Sequence, residues 1–364
     1  MSKPRVIAFY LPQFYPTPEN DEWWEPGFTE WTNVARAKPL FKGHYQPRIP
    51  RDLGFYDLRV PETREKQAQL AREAGIEGFC YWHYWFGNGK RLLADVFREV
   101  VESGKPDFPF CLCWANHSWY AKTWDPNVPD KLLMEQTYPG VEDYEAHFYE
   151  MLPAFKDKRY MRVNDRLVFG VYAPLDIPDF NLFSATWNKL AVANGLKGFY
   201  FFGFTYRSNK IDKIISNGYD SVVFDNVMTY YWTKNIFTRI KRKFLRIPQL
   251  IDYRDYMKDY LSCYEVSDLV HPCILPNFDH SPRSSHRGTI IVNNTPQLWK
   301  ELCSSIFIKC NGRKEENNLI FIKAWNEWGE GNYLEPDIRF GSQYIENTRD
   351  AVNEFLLGVS KNSI

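Results

Sequence analysis

Eight short apolar segments recur along the chain, and each is followed by turn residues and then by a segment with helical periodicity. Apolar runs of this length, bounded by turn residues, are typical of strands that are buried on both faces. Such strands alternate with helices in parallel sheets, where each crossover helix covers one face. The sequence therefore predicts eight parallel strands, at Val6–Tyr10, Gly78–Tyr81, Phe110–Trp114, Leu167–Tyr172, Gly198–Phe204, Ser221–Phe224, Cys273–Pro276 and Leu319–Ala324.

The number of predicted βα units favours an α/β fold of the (β/α)8 TIM barrel type. The chain has 364 residues, and long insertions in the βα loops would account for the excess over the roughly 250 residues typical of this fold. An open, doubly wound sheet is the alternative. That fold usually carries a glycine-rich phosphate turn after its first strand, where this chain has Leu11-Pro12-Gln13. No repeat or linker divides the chain, so residues 1–364 are predicted to form a single domain.

The charge balance and the apolar content bear on the partners of the chain. It has 45 basic and 45 acidic side chains, so its zero net charge gives no general attraction to nucleic acid. No apolar run reaches the roughly 18 residues that cross a bilayer, and residues 1–15 lack the pattern of a signal peptide. The seven cysteines lack the C-x2-C spacing of zinc sites, which favours reduced, mostly buried thiols. We therefore expect a cytoplasmic protein without a nucleic-acid partner.

Aromatic residues make up 17% of the chain, and many stand beside Asn, His, Glu and Gly rather than beside aliphatic residues. Aromatic rings can stack on the apolar faces of sugars while amides and acids bind the hydroxyls, so this mixture is typical of a carbohydrate site. In a parallel barrel such a site lies at the C-terminal ends of the strands. The candidate substrate-binding residues there and in the first loop are Tyr10, Gln13, Glu30, Trp31, Trp82, His83, Tyr84, Trp114, Asn116, His117, Asp279, Arg283, Trp325 and Asn326.

The segment after the eighth predicted strand holds two glutamates, Glu327 and Glu330, among two tryptophans and two glycines. If the chain bends helically there, carboxyls three residues apart can face one pocket. Cleavage of glycosidic bonds commonly uses such a pair, in which one carboxyl protonates the leaving oxygen and the other acts on the anomeric side. Burial beside tryptophan would raise the pKa of one of them. Glu327 and Glu330 are therefore the predicted catalytic residues; the alternative is a solvated loop whose glutamates cap the next helix.

Several candidates also have a plain structural interpretation. His83 and His117 would bind hydroxyls or orient an acid, or they would be satisfied core imidazoles. A metal site formed by these histidines and Asp279 is conceivable, but nothing has metal-ligand spacing, so no metal and no cofactor are predicted. The tryptophans near the strand ends would line a sugar groove or fill the core. Asp279 and Arg283 would contact substrate or form a local ion pair.

Two further segments stand out by their composition. The segment from Asn20 to Asn33 is predicted to be a loop whose three tryptophans pack over the barrel mouth; a partner-binding surface is the alternative. Residues 234–246 hold six basic and no acidic side chains, with apolar residues at helical spacing. This pattern predicts peripheral contact with anionic lipid at the inner face of the membrane, or else a solvated helix on the flank of the barrel.

Six blocks of the sequence are specific enough to indicate a family: RVIAFYLPQF (5–14), FTEWTNV (28–34), GHYQP (43–47), GFCYWHYWF (78–86), CWAN (113–116) and WNEWGEG (325–331). In these blocks the chain resembles the WbsX-type proteins of bacterial polysaccharide clusters. That group is described as glycoside hydrolase family 99-like and is often labelled as glycosyltransferases. The resemblance covers most of residues 5–345.

The resemblance implies a fold, an activity and roles for two residues. Family 99 enzymes are metal-independent (β/α)8 endo-α-mannosidases that cleave with retention, and their strand-eight motif matches residues 326–331. By this resemblance Glu327 would act as a base toward the 2-hydroxyl of the sugar, which allows a 1,2-anhydro intermediate. Glu330 would be the acid that protonates the leaving oxygen. The chain departs from the family at Gly329, where family 99 commonly has histidine.

These observations favour a retaining glycoside hydrolase that acts on a bacterial surface polysaccharide or its precursor. The alternative is a glycosyltransferase or transglycosylase in O-antigen or capsule biosynthesis, although the sequence has no D-x-D triplet and no glycine-rich phosphate loop for a nucleotide sugar. A binding module without catalysis is the third hypothesis, and only the aromatic content supports it. An oligosaccharide or polysaccharide is the expected substrate, and the sequence gives no oligomeric state.

Overall fold

The computed structural model describes residues 3–122, 129–228, 244 and 246–361. Within these residues, the strands of the central sheet are β1 (Arg5–Tyr10), β2 (Gly78–His83), β3 (Phe110–Trp114), β4 (Arg166–Val171), β5 (Phe199–Thr205), β6 (Ser221–Phe224), β7 (Val270–Ile274) and β8 (Leu319–Ile322). They pair in parallel in the order β3-β2-β1-β8-β7-β6-β5-β4, and pairing between β3 and β4 closes the sheet. The chain therefore folds as a (β/α)8 TIM barrel.

The predicted barrel and all eight predicted strands are confirmed, with small changes at the strand ends. The start of β7 differs most, because the strand begins at Val270 and not at Cys273. His271 and Pro272 obscured this start in the sequence. The imidazole of His271 is buried, and its Nε2 lies 3.0 Å from the hydroxyl of Tyr200 on β5, so the polar ring has a partner inside the barrel. A doubly wound open sheet is excluded, because β3 pairs with β4.

Helices follow the strands and surround the barrel. Within the described ranges they are α1 (Pro18–Trp23), α2 (Glu30–Arg36), α3 (Pro61–Glu73), α4 (Asp95–Ser103), α5 (Val141–Phe155), α6 (Phe180–Ala193), α7 (Ile211–Ser216), α8 (Tyr253–Cys263), α9 (Ser281–Ser284), α10 (Pro296–Lys309) and α11 (Gln343–Lys361). The last helix, α11, packs against α10 and α3, so the helix layer is continuous where the last βα unit lies beside the first.

The loop after β1 contains the short helices α1 and α2, so the segment from Asn20 to Asn33, predicted to be a loop, is helical at both ends, and the prediction is right only for residues 24–29. A threonine caps each helix. The hydroxyl of Thr17 accepts a hydrogen bond from the backbone N–H of Asn20, and that of Thr29 accepts one from the backbone N–H of Trp31. Such caps satisfy donors that the start of a helix leaves unpaired, and they explain how short helices form in a polar segment.

The loops at the C-terminal end of the barrel carry short additional strands. Two pairs are antiparallel and one is parallel. The pairs are Trp119–Ala121 with Lys131–Met134, Asn326–Glu327 with Asn332–Tyr333, and Gln249–Asp252 with Thr289–Val292. The predicted long insertions in the βα loops are therefore confirmed, and they add ordered structure on the side where barrel enzymes place their sites.

Side chains of each strand alternate between the inside of the barrel and the helix layer. Inside, the ring of Phe9 on β1 stacks on Trp82 of β2, with centroids 4.6 Å apart, and contacts Phe204 and Phe321 at 5.7 and 5.5 Å. The next residue, Tyr10, lies on the outer side, where its hydroxyl donates a hydrogen bond to α3. This alternation decides which of the residues at the strand ends reach the barrel mouth.

Three other expectations concern the surroundings of the barrel. All seven cysteines are free thiols and six are buried, which confirms the predicted role of most of them as core residues. In the part of the chain that the structure describes, no helix combines the length and the apolar composition needed to span a membrane. The basic segment 234–246, predicted to contact lipid, lies outside the described residues apart from Phe244 and Arg246.

Gly170 of β4 offers a test of the packing inside the barrel. A β-carbon at this position would overlap the ring of Phe202 and lie 2.8 Å from the sulfur of Cys113. We expect Gly170→Ala to lower the free energy of unfolding by about 1–3 kcal/mol, because overpacking displaces fixed side chains. Urea denaturation measures this change. Gly358→Ala is the control, since a β-carbon there meets no atom within 4 Å. An unchanged stability of Gly170→Ala would contradict the tight packing.

Candidate active site

The two predicted catalytic glutamates lie on a tight hairpin that follows β8. The short strand Asn326–Glu327 pairs with Asn332–Tyr333, and the 3-10 turn Trp328–Glu330 connects them. Gly331 closes this turn with a φ of +52°, and a β-carbon there would lie 2.8 Å from the Cβ of Asp279. Both the backbone conformation and the close approach therefore require glycine. The hairpin holds both glutamates at the C-terminal end of the barrel.

The carboxyl group of Glu327 is buried beside an indole ring. Its Oε1 accepts a hydrogen bond of 3.0 Å from Nε1 of Trp82, and its Oε2 lies 3.8 Å from Arg283. Burial, followed by the charge of Glu330, raises the pKa of Glu327, and the cations Arg283 and Lys323 offset only part of this rise. Glu327 therefore favours its protonated form more than an ordinary glutamate does.

The carboxylate of Glu330 lies between two cations. Nη1 of Arg283 donates a hydrogen bond of 2.6 Å to its Oε1, and Nζ of Lys323 lies 3.5 Å from its Oε2. Burial by itself would raise the pKa of Glu330, but the charges of Lys323, Arg283 and His280 outweigh burial and lower it. Glu330 therefore stays ionised. The resemblance implied the reverse, with Glu330 as the acid and Glu327 as the base.

Arg283 on α9 connects the acidic residues of the site. Besides Glu330, it contacts Glu30 of α2, because Nε and Nη2 donate hydrogen bonds of 3.1 and 2.9 Å to Oε2 of that residue. Within the described residues, its ion pairs are with these two glutamates and Glu327, and none is with Asp279. Loops after β1, β7 and β8 thus place three carboxylates around one guanidinium.

Lys323 is a functional candidate that sequence reasoning missed. It directly follows β8, and alternation places it on the same side as Phe321, inside the barrel. Its side chain is buried, and Nζ donates a hydrogen bond of 3.2 Å to the hydroxyl of Tyr206 in addition to its contact with Glu330. A lysine at the end of the apolar strand LIFIK is the signal that could have indicated it, because a lysine is almost never fully buried without a partner.

Asp225 is a further acidic residue close to the cations of the site. It follows β6 and is completely buried. Its Oδ1 accepts a hydrogen bond of 2.8 Å from the backbone N–H of Val227, while Oδ2 has no hydrogen-bond partner among the described residues. Burial raises the pKa of Asp225 to about 7, although the charge of Lys323 opposes this rise. The sequence placed Asp225 at a strand end but gave it no role.

Three predicted aromatic residues lie around the glutamates. Trp82 binds Glu327 through its indole N–H, as described above. Tyr84 is buried nearby, and burial together with the charge of Glu327 raises the pKa of its hydroxyl. Trp31 packs against Trp328 of the hairpin, with ring centroids 5.6 Å apart. Contact between these three rings and a sugar stays a prediction.

Three other candidates lie between the barrel and the helices. The hydroxyl of Tyr10 donates a hydrogen bond of 2.7 Å to Gln67 on α3. The indole of Trp114 donates one of 2.8 Å to the backbone oxygen of Trp85. Trp325 is completely buried. All three pack the wall of the barrel, and contact between them and a substrate stays a prediction.

His83 also lies on the outer side of the barrel, where it pairs with His147 of α5. Their Nε2 atoms are 2.7 Å apart, so one ring donates and the other accepts a hydrogen bond. The ring of His147 stacks in parallel on Trp85, with centroids 4.7 Å apart. Burial lowers the pKa of both rings well below the ordinary value, so both are neutral. This geometry matches the core interpretation of His83.

Two asparagine candidates hold loops together. The side chain of Asn116 donates a hydrogen bond of 2.9 Å to the backbone oxygen of Ala173 and accepts one of 2.8 Å from its N–H. Asn326 makes the same pair of hydrogen bonds with the backbone of Leu11, at 3.1 and 2.8 Å. Each side-chain amide therefore pairs with the backbone of a loop at the barrel mouth, as a neighbouring strand would in a sheet.

Asp279 is completely buried beside the hairpin that carries Glu327 and Glu330. Its Oδ2 lies 2.8 Å from Nε2 of His44 and accepts a hydrogen bond of 2.7 Å from Gln46. Burial would raise the pKa of Asp279, but its contact with His44 and the charge of Arg48 lower it to about 2. The backbone N–H of Asp279 donates a hydrogen bond of 2.7 Å to the backbone carbonyl oxygen of Glu330. Asp279 thus joins the GHYQP segment to the catalytic turn.

Two predicted residues lie closer to the surface. Gln13 is partly exposed in the loop after β1, and His117 is exposed, with its ring centroid 5.1 Å from that of Tyr172. The alternative of a metal site required His117 to meet His83 and Asp279. In residues 3–122, 129–228 and 246–361, no group of three or more His, Cys, Asp or Glu side chains could hold a metal ion.

The tryptophans of the loop after β1 differ in their exposure. Trp31 is buried, and Trp23 is half-buried, with its ring edge-on to Trp119 at 5.9 Å. Trp24 is 48% exposed. The prediction that all three pack over the barrel mouth is therefore wrong for Trp24. Its neighbour in the sequence takes the inner position, because successive residues of a short helix point in different directions.

Glu335 is a second buried acid that the sequence did not indicate. It accepts hydrogen bonds of 2.6 Å from the indole of Trp328, 2.6 Å from the amide of Gln67 and 2.9 Å from the hydroxyl of Tyr56. Burial raises the pKa of Glu335 to about 7, and these hydrogen bonds limit the rise. Glu335 thus connects Trp328, on the hairpin formed by residues 326–333, to α3 and to the loop after β1.

Comparison with known sequences indicates one family. Residues 6–348 match the family described as "Glycosyltransferase WbsX". Two proteins named WxcX, from two strains of Xanthomonas campestris pv. campestris, are each 36% identical to this chain over 360 residues. The match covers 95% of this chain but 49% of each WxcX protein. The chain therefore spans about half the length of these relatives.

Solved structures of similar fold come from glycoside hydrolases. A glycoside hydrolase-like protein has a TM-score of 0.61 and 12% identity, and the match covers 97% of this chain and 94% of that one. The glycoside hydrolase family 99 endo-α-mannosidase from Bacteroides thetaiotaomicron has a TM-score of 0.56 and 15% identity, and the match covers 98% of both chains. At these identities the similarity shows a shared fold.

The buried pair of His83 and His147 predicts a loss of stability in acid. Burial lowers the pKa of both rings below their usual 6.5, so the unfolded chain binds protons that the folded chain excludes once the pH falls below about 6.5. These two rings should lower the free energy of unfolding between pH 7 and pH 5, by up to about 1.4 kcal/mol per pH unit for each histidine, whereas the raised pKa values of Asp225, Glu327 and Glu335 act in the opposite direction. Urea denaturation at each pH value measures this dependence.

The variant His147→Gln assigns the effect, because it keeps a hydrogen-bonding group beside His83 and removes one titrating ring. Unfolding of this variant in acid should take up about one proton fewer than unfolding of the parent, so its stability should depend less on pH. His286→Gln changes a partly exposed ring and should leave the dependence nearly unchanged. If His147→Gln and the parent lost stability equally between pH 7 and pH 5, the buried pair would not be its source.

Lys323 should control the protonation of Glu330. Among the charges around Glu330, that of Lys323 does most to lower the pKa against burial. Lys323→Met keeps the length of the side chain and removes the charge, so we expect the pKa of Glu330 to rise. Carboxyl 13C NMR of protein labelled at glutamate Cδ measures this pKa, and Glu330→Gln assigns its signal. Lys258→Met, at an exposed position of α8, should leave the titration unchanged; an unchanged titration in Lys323→Met itself would refute the contact.

Proposed function

The chain belongs to the WbsX glycosyltransferase family, and we propose that it is a carbohydrate-active enzyme that breaks a glycosidic bond with Glu327 and Glu330. The finer proposal is a retaining glycoside hydrolase, similar in action to the family 99 endo-α-mannosidase whose fold it shares. Its substrate is a bacterial surface polysaccharide or the precursor of one. The family, the fold and the carboxyl pair support this proposal together.

The observation that carries the proposal is that two buried glutamates share one guanidinium and differ in how closely cations approach their carboxyl groups. Arg283 lies 2.6 Å from Glu330 and 3.8 Å from Glu327. The carboxyl of Glu327, buried beside an indole, has a raised pKa, while that of Glu330, between Arg283 and Lys323, has a lowered one. Glycoside cleavage needs a proton donor and a carboxylate at the same bond, and environments that push two pKa values apart provide them.

With a proton on Glu327 and none on Glu330, the two glutamates can cleave the bond in two steps. In the first step Glu327 gives its proton to the leaving oxygen as the bond between that oxygen and the anomeric carbon breaks. Glu330 takes the proton of the 2-hydroxyl, and the 2-oxygen forms a bond to the anomeric carbon to give a 1,2-anhydro sugar. In the second step water attacks the anomeric carbon and breaks its bond to the 2-oxygen, Glu327 takes a proton from this water, and Glu330 returns its proton to the 2-oxygen. Two inversions give net retention.

The resemblance to family 99 implies the opposite assignment of acid and base. In that assignment Glu330 would hold a proton although two cations lie 2.6 and 3.5 Å from its carboxyl oxygens, and such contacts favour the ionised form. We therefore assign the acid to Glu327. Each assignment uses the same two residues, so a test of the pair and a test of the roles are separate experiments.

Sugar transfer is the second candidate function, and the description of the family favours it. The same two residues would serve, because an acceptor hydroxyl can replace water in the second step. Reaction in water enriched in 18O distinguishes the two functions. Hydrolysis places 18O at the new reducing end, whereas transfer produces longer oligosaccharides that lack it.

Replacement of either glutamate tests the catalytic pair. We expect Glu327→Gln and Glu330→Gln each to slow the cleavage of reducing-end-labelled manno- and rhamno-oligosaccharides by about 10³-fold, since acid–base groups contribute about 10²–10⁴-fold each. Mass spectrometry of the labelled products measures the rate. Glu346→Gln, at an exposed position of α11, is the matched control and should cleave at the parent's rate.

A glycosyl fluoride of the cleaved oligosaccharide then assigns the roles, because fluoride leaves without protonation. Glu327→Gln should regain most of its activity on this substrate, and Glu330→Gln should not. The opposite pattern would reverse the assignment and leave the pair in place. If both glutamine variants folded normally and cleaved the natural linkage at the parent's rate, the proposed function would be wrong.

A further inference from the structure

Gly329 stands between the two catalytic glutamates in the sequence, and a neighbouring carboxylate fills the space beside it. A β-carbon at this position would overlap Oε2 of Glu30 and lie 3.1 Å from Nε of Arg283. The carboxylate of Glu30 therefore occupies the volume that any larger residue at position 329 would need. This gives the glycine a steric reason that the sequence did not show.

Glu30 also fixes the orientation of Arg283. It begins α2 and is only 4% exposed. Its Oε2 accepts hydrogen bonds of 3.1 Å from Nε and 2.9 Å from Nη2 of Arg283, and these two contacts define the plane of the guanidinium. The remaining nitrogen, Nη1, is thereby directed at Glu330, at 2.6 Å. Glu30, from the loop after β1, thus sets the contact between Arg283 and Glu330, which come from the loops after β7 and β8.

We propose that Glu30 is a positioning residue that orients Arg283 between Glu327 and Glu330, and that Gly329 is required because the carboxylate of Glu30 takes the place of a side chain there. The effect of Glu30 on the reaction passes through Arg283. Its consequence for catalysis rests on the proposed function, whereas its effects on geometry and on protonation do not.

The charges around Glu327 determine what the loss of Glu30 should do. Burial and the charge of Glu330 raise the pKa of Glu327, and Glu30 adds to this rise, while Arg283 and Lys323 oppose it. Other titratable groups that face the cluster include Tyr84 after β2, Tyr172 after β4, Tyr206 after β5, Asp225 after β6 and His280 before α9. Neutralising Glu30 removes one negative charge from this set, so the pKa of Glu327 should fall.

A double-mutant cycle tests the steric part of the proposal. We expect Gly329→Ala and Glu30→Ala each to slow glycan cleavage by at least about tenfold, because either change releases Arg283 from its position and small displacements at a reaction centre are costly. In Glu30→Ala/Gly329→Ala the added methyl enters vacant space. The double variant should therefore lose no more activity, and no more of its melting temperature, than Glu30→Ala alone. Losses that add would overturn the steric relation.

Glu30→Ala tests the positioning role, because release of Arg283 should raise the pKa of Glu330, whereas loss of the charge of Glu30 by itself would lower it. The charge-neutral variant Glu30→Gln tests the effect of the charge. It keeps the shape of the side chain, so the melting temperature should change little, while carboxyl 13C NMR should show Glu327 titrating at lower pH. The signal is assigned with Glu327→Gln. Glu22→Gln, at an exposed position of α1, is the matched control and should leave the titration unchanged. A Glu327 titration that Glu30→Gln does not move would reduce Glu30 to a packing role and refute the proposal.

These readouts separate the two proposals. NMR titration and melting temperature need no substrate, so they report on Glu30 even in a protein that cleaves none of the oligosaccharides. A raised pKa of Glu330 in Glu30→Ala, with no cleavage by the parent, would support the positioning of Arg283 and contradict the proposed function. Normal cleavage by Gly329→Ala would contradict the steric relation and leave the proposed function intact.

Discussion

The guanidinium of Arg283 is the group on which the candidate site depends. It carries a charge into a largely buried place at the barrel mouth, and such a charge is tolerated only when partners surround it. Those partners are glutamates 253 and 47 residues away in the sequence, at 2.9 and 2.6 Å. They meet only because β1, β7 and β8 are placed next to one another by the closed sheet. The site therefore depends on the pairing of β8 with both β1 and β7, and no single loop contains it.

The two catalytic candidates, Glu327 and Glu330, lie in different surroundings, and these determine which of them favours its protonated form. Glu327 faces an indole N–H and lies farther from its cation, whereas Glu330 lies against Arg283 and Lys323. One carboxyl is thereby pushed toward the protonated form and the other toward the ionised form, although they are only three residues apart. The shared fold with glycoside hydrolases gives the barrel, and these local contacts support the chemistry proposed for it.

Much of the aromatic content serves packing. Trp114 and Trp325 fill the layer between barrel and helices, and the indole of Trp82 reaches the glutamates because it lies on the opposite face of its strand from His83. The sequence indicated that aromatic and polar residues gather at the strand ends, and that much is confirmed. It could not show which of two adjacent residues enters the barrel, since a shift of one residue exchanges the two faces. For the same reason Lys323 went unnoticed at the end of an apolar run.

The sequence by itself determined the eight strands, the barrel and the family, because apolar periodicity and short motifs are local properties. It also placed Glu327 and Glu330 together after the last strand, and their catalytic role stays a prediction. It could not determine which candidates converge. Asn116, Asn326 and Asp279 carry the polar groups expected of a sugar site, yet each is satisfied by partners within the fold. Only the tertiary structure decided that Glu30 fills the space beside Gly329 and holds Arg283. Contacts between residues far apart in the chain depend on strand register and facing, and neither is encoded in a local pattern.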